Sequence, residues 1–131
     1  MISRRLSCPV IACIFLTLGG CLSAGSGLAP SSPGAASLDG GIIGRSSYAA
    51  QLSSGAKARA VEAEYQALQF TPAGEAISWS AGGASGRVVP TQVYRVGSQD
   101  CRGYTQFLDG GGPDGLTATA CKAGDGKWVL V

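Results

Sequence analysis

Histidine is absent from the 131 residues. Its absence removes the side chain that most often serves as a general base near neutral pH, and the commonest metal ligand. Charge is scarce: 14% of residues are Asp, Glu, Lys or Arg, and they form no block of one sign. That leaves no electrostatic footprint for nucleic acid. No apolar stretch approaches the ~20 residues that cross a bilayer as a helix. The glycine-rich runs lack a following Lys-Ser or Lys-Thr, so none is a phosphate-cradling loop. Paired cysteines of the CxxC type are missing, and with them the usual redox or zinc arrangement. No cofactor is expected, and no metal.

The first segment carries the clearest signal. Arg4 and Arg5 precede the apolar run Pro9–Leu18, and Leu18-Gly19-Gly20-Cys21 follows. A positive start, an apolar stretch of about ten residues and small residues before a cysteine have the layout of an export signal. The tetrapeptide resembles a bacterial lipobox, in which the cysteine thiol takes a diacylglycerol and becomes the mature N-terminus. Residues 1–20 are therefore expected to be a lipoprotein signal peptide and Cys21 the lipidated, membrane-anchoring residue. Leu22, rather than Asp, follows the cysteine and favours the outer membrane.

Removing the first 20 residues leaves 111, and without Arg4 and Arg5 the formal charge falls from +2 to zero. Residues 22–40 are rich in Gly, Ser, Ala and Pro and lack aromatics, which is linker composition. Gly40-Gly41-Ile42-Ile43-Gly44 follows and reads as a flexible or peripheral segment. Residues 21–45 are thus expected to form a lipidated tether with a glycine-rich remnant, and residues 46–131 the folded domain.

Within that domain the spacing predicts a helix over 54–70. Five alanines raise its propensity, Val61, Tyr65 and Leu68 form an apolar stripe, and Pro72 with Gly74 stops it. Lys57, Arg59, Glu62 and Glu64 are placed on its other faces. From residue 75 the apolar period becomes two. Strands are expected over 76–80, 87–96, 101–108, 116–122 and 127–131, separated by Gly- and Asp-containing turns. Pro90 marks an edge or a bulge. Trp79 and Trp128 are expected to anchor the core. The sum is an α+β fold, one helix packed on a four- to five-stranded antiparallel meander.

Of the five cysteines, Cys8 and Cys13 fall in the signal, leaving Cys101 and Cys121 as an even pair in an oxidising compartment. A hairpin centred between residues 111 and 112 sets position 101 opposite position 121 or 122, so a disulfide across neighbouring strands is expected.

Several of these residues occur together in a known arrangement. Ala63-Glu64-Tyr65-Gln66-Ala67-Leu68, Trp79-Ser80, Gly86, Pro90, Tyr94, Cys101-Arg102 with Tyr104, Ala120-Cys121-Lys122 and Asp125-Gly126-Lys127-Trp128 resemble the 17-kDa surface-antigen family of bacterial outer-membrane lipoproteins. The resemblance covers about residues 40–131 and the lipobox. The family's glycine zipper is reduced here to Gly40–Gly44. The resemblance implies a lipid-anchored protein of the outer membrane and no particular reaction.

Asp100, Asp109, Asp114 and Asp125 all fall in turns, where Asp bonds its own backbone, and they compose no catalytic pair. Arg102 and Tyr104 share the strand face opposite Cys101 and are the candidate partner-binding residues; covering the sheet by stacking or ion pairing is their simpler role. The expectation is a non-catalytic envelope lipoprotein. The alternative is a small binding or inhibitor module that captures an envelope protein or a cell-wall partner through its sheet face.

Overall fold

A computed structural model describes residues 32–131. Cys21, the signal segment and the first part of the tether lie outside the described residues. The architecture is α+β: a principal helix packs on a five-stranded antiparallel sheet whose strands follow one another in order.

The described chain begins with two helical turns, α1 (Pro33–Ala36) and α2 (Gly41–Gly44), and a 3-10 turn over Ser47–Gln51. Helix α3 spans Ser54–Phe70. It starts where the Ser53 hydroxyl accepts the Ala56 N–H at 3.0 Å, as an N-cap does. It ends where Thr71 turns extended before Pro72, consistent with the restriction proline places on its predecessor. The strands are β1 (Ile77–Ala81), β2 (Ala84–Val96), β3 (Gln99–Leu108), β4 (Leu116–Lys122) and β5 (Trp128–Leu130).

Two faces of α3 are covered. Ala56, Ala60, Ala63 and Ala67 are buried and present a smooth surface that lets the helix lie close to the sheet. Val88, Trp79, Tyr104, Ala120 and Trp128 share the same core, so both tryptophans are core residues, as expected. The Val61–Tyr65 side meets the N-terminal turns: a Cβ on Gly34 would overlap the Tyr65 ring.

Those turns differ from the expected tether. Ala35, Leu38 and Ile43 are buried in the core, and the segment is bonded on two sides. Ser32 donates through its N–H (3.2 Å) and hydroxyl (2.9 Å) to Glu62, and the Ser37 hydroxyl reaches the Trp128 carbonyl at 2.7 Å. Residues 32–45 are therefore part of the folded domain. Three apolar side chains suffice because α3 offers a preformed surface and two acceptor carboxylates; linker composition does not register that help.

The expected bulge is present, between Pro90 and Val93. Cys101 pairs with Cys121 in the β3–β4 register, and the two form a disulfide.

Candidate functional site

Alternation along β3 sends Arg102, Tyr104 and Gln106 to the helix side. The partner-binding role expected for Arg102 and Tyr104 is not compatible with their burial: Arg102 is 6% exposed and Tyr104 is fully buried. The Arg102 guanidinium instead closes the C-terminal end of α3. Its Nη1 donates to the carbonyls of Ala67 and Leu68 at 2.9 Å each, its Nη2 to the Thr71 carbonyl and its Nε to the Thr91 carbonyl at 2.8 Å. A cation placed on the last carbonyls of a helix meets both their unpaired lone pairs and the negative end of the dipole. Burial lowers its pKa from the ordinary value.

Tyr104 belongs to a buried polar cluster that the sequence did not disclose. Its hydroxyl donates to Glu64 at 3.2 Å. Gln106 donates to the same carboxylate at 3.2 Å and accepts the Trp79 indole N–H at 2.8 Å. The backbone N–H groups of Ile42 and Ile43 complete the set at 3.1 and 3.2 Å. Glu64 is buried rather than on a solvent face. Burial pushes its carboxyl up to about 7, against the opposing pull of those four donors. Burial, then the neighbouring Glu64 charge, drives the Tyr104 phenol far above its usual value. These groups point inward and bond one another; they hold α2, α3 and β3 together.

Among the described residues, a hairpin arm and a groove are accessible. The first is a projecting arm: Thr91–Gln99 are all exposed although β2 and β3 stay paired out to Val96 and Gln99. It carries Val93, Tyr94 and Val96 at 51, 46 and 53% exposure, and its base is stapled by the Cys101–Cys121 bridge.

The second is a groove of about 730 Å³ between α3 and the β1–β2 hairpin. Arg59, Glu62 and Gln66 line the helix wall, and Ile77, Ser78 and Ser80 the strand wall. Gly86 is required at its floor, where a Cβ would overlap the Phe107 carbonyl and crowd the Trp79 ring. Arg87 and Asp109 form the rim. Burial alone would raise Glu62, but its bonds from Gln66 and Ser32, with Arg59 nearby, hold its carboxyl below the ordinary range.

No family model, curated protein or solved structure matches the chain.

Proposed function

We propose that this chain is a non-catalytic lipoprotein of the 17-kDa surface-antigen type, anchored in the outer membrane through Cys21, whose folded domain binds another component of the envelope. The observation that carries the interaction role is the arm. Three large apolar side chains within four residues of a strand are exposed and held in a paired hairpin whose second strand is bridged to β4 by the Cys101–Cys121 disulfide. Exposed apolar side chains grouped on one rigid element mark contact surfaces. The lipobox-like segment supports the anchoring.

A photo-crosslinking residue at Tyr94, expressed in the native membrane, tests the reading. Discrete adducts are expected, and their absence at Tyr94, Val93 and Val96 alike overturns the interaction role. Cys21→Ser tests the anchor separately: the protein is expected to leave the membrane fraction for the soluble one, and retention in the membrane overturns the lipid assignment.

A further inference from the structure

We infer that the arm end of the domain is a lipid-contacting surface: Tyr94, Val96 and Phe70 rest in the interface of the bilayer that holds Cys21, and this contact sets which end of the domain faces away from it. The inference rests on the arm as a contact surface and on the anchor, and it names the arm's partner.

The meander sorts its connections between two ends. The β2–β3 and β4–β5 turns lie at one end, the β1–β2 turn and the loop over residues 109–115 at the other. Helix α3 runs toward the first end. Its last carbonyls meet Arg102, while Ser53 at its start lies against Gly82 at the far end. The exposed large apolar residues among those described are Phe70, Val93, Tyr94, Val96, Val129 and Val131. Phe70 ends α3, and Val93, Tyr94 and Val96 belong to the arm. Val129 lies in one cross-strand row with Tyr94, through Cys101 and Cys121, and so shares its face. The turns of the far end carry none of them. Apolar side chains gathered this way mark a protein or a membrane contact.

The bilayer is the partner that the chain itself keeps within reach. Residues 22–31 separate Cys21 from Ser32, and ten residues span at most about 35 Å. Ser32 is bonded to Glu62, and the helix from there to Phe70 rises only about 12 Å. The arm end is therefore within reach of the surface that carries the anchor. A tethered surface is met at high effective concentration; a separate protein is not. The chemistry fits the interface rather than the bilayer centre. The tip's backbone is paired, Arg95 with Asp100 and Val96 with Gln99, so few open polar groups leave water. Tyrosine joins an apolar ring to a polar end, as side chains at headgroup depth do. Arg95 and Lys127 are exposed and each has an Asp beside it. Apolar contact, not net charge, drives the association.

The test uses the full-length, membrane-extracted protein reconstituted into phosphatidylcholine vesicles. An environment-sensitive fluorophore is placed at Val96→Cys, at Phe70→Cys and, as the far-end reference, at Asp114→Cys, all exposed positions. With Cys21 lipidated and Cys101 bonded to Cys121, each protein offers one free thiol. Emission from positions 96 and 70 is expected to shift to the blue and to hold at high salt. It is expected to be quenched by a nitroxide near the headgroup end of the acyl chain and much less by one near the methyl end. Position 114 is expected to respond to aqueous iodide alone. Adding Tyr94→Asp to the Val96→Cys protein is expected to abolish lipid quenching while circular dichroism shows the fold retained. Absence of lipid quenching at position 96, or equal quenching at 96 and 114, overturns the inference. A blue shift that grows with protein density and lacks lipid quenching assigns the surface to a second copy of the chain and overturns it too. Cross-linking at Tyr94 separates the two failures: protein adducts with unquenched labels leave the arm's contact role standing and remove the lipid, whereas no adduct of any kind removes both.

Discussion

The Glu64 carboxylate accepts the backbone N–H of Ile42 at 3.1 Å, across 22 residues of chain. This bond, with its neighbour at Ile43, is what ties α2 to α3. It requires the backbone to pass directly over the carboxylate, and Gly41 makes that approach. Gly41 has φ +63°, and a Cβ there would overlap the Glu64 carboxyl group. Gly41→Ala should therefore cost about 2 kcal/mol from the left-handed backbone alone, before the overlap is relieved. Hydrogen exchange at the Ile42 and Ile43 amides should accelerate while the β3 and β4 amides stay protected. Equal acceleration across the whole domain would show that the N-terminal turns do not open separately.

The same carboxylate makes stability depend on pH. Its folded-state value of about 7 lies above the unfolded 4.5, so the native state binds the extra proton. Stabilisation from this group is complete below pH 4.5 and is lost as pH rises through 7, by about 3 kcal/mol in all. Tyr104 stays neutral over this range because its pKa is raised. Glu62, whose carboxyl is lowered, acts in the opposite sense: its contribution is present above 4.5 and lost on acidification. Urea midpoints measured from pH 4.5 to 7.5 should fall with rising pH in the native chain and flatten in Glu64→Gln. A slope that persists in that variant would assign the effect elsewhere.

Much of the frame was legible because it rests on local chemistry. Helix α3 has the expected bounds since alanine propensity, the Ser53 cap and Pro72 all act within a few residues. Strand β4 and the Cys101–Cys121 register follow from alternation and the position of one glycine-rich turn. Glu64 was misplaced because a glutamate among alanines looks solvent-facing. Its burial depends on donors from Tyr104, Gln106 and Ile42, all more than 20 residues distant. Gln106 did carry a signal, since it shares strand parity with Arg102 and Tyr104. Those two looked like a surface patch because alternation places them on a face but does not say that a helix covers it. The groove was invisible for a related reason: a meander places the first strand at an edge of the sheet, but strand composition does not tell what stands beside it.

Arg102 supplies a cap that α3 lacks in its own sequence, for its last turn contains no basic residue. Arg102→Met keeps the length of the side chain and removes every donor. It leaves the Ala67, Leu68, Thr71 and Thr91 carbonyls without this partner. The expected cost is about 3 kcal/mol, visible as a lower urea midpoint and reduced helical circular dichroism. Arg102→Lys should recover only part, because an ammonium cannot span carbonyls on the helix end and on the β2 bulge together. Full recovery by lysine would mean that charge alone, without the guanidinium fork, closes the helix.

The disulfide acts on the unfolded chain more than on the folded one. Cys101 and Cys121 close a loop with a sequence separation of 20, and fixing such a loop stabilises by about 3 kcal/mol through loop-closure entropy. For a domain of this size that corresponds to a fall on the order of 15 °C in melting temperature on removal. The paired variant Cys101→Ser/Cys121→Ser and the reduced native chain should melt alike, both well below the oxidised protein. The arm should respond more sharply than the core. Its last residues pair through Tyr94 with Cys101, so loss of the staple frees its base while α3 still packs on the remainder of β3. Amide protection at Val93–Val96 should drop before that at Tyr104 and Gln106. Identical melting of the oxidised and reduced chains would mean that the glycine-rich hairpin holds its register without the bridge.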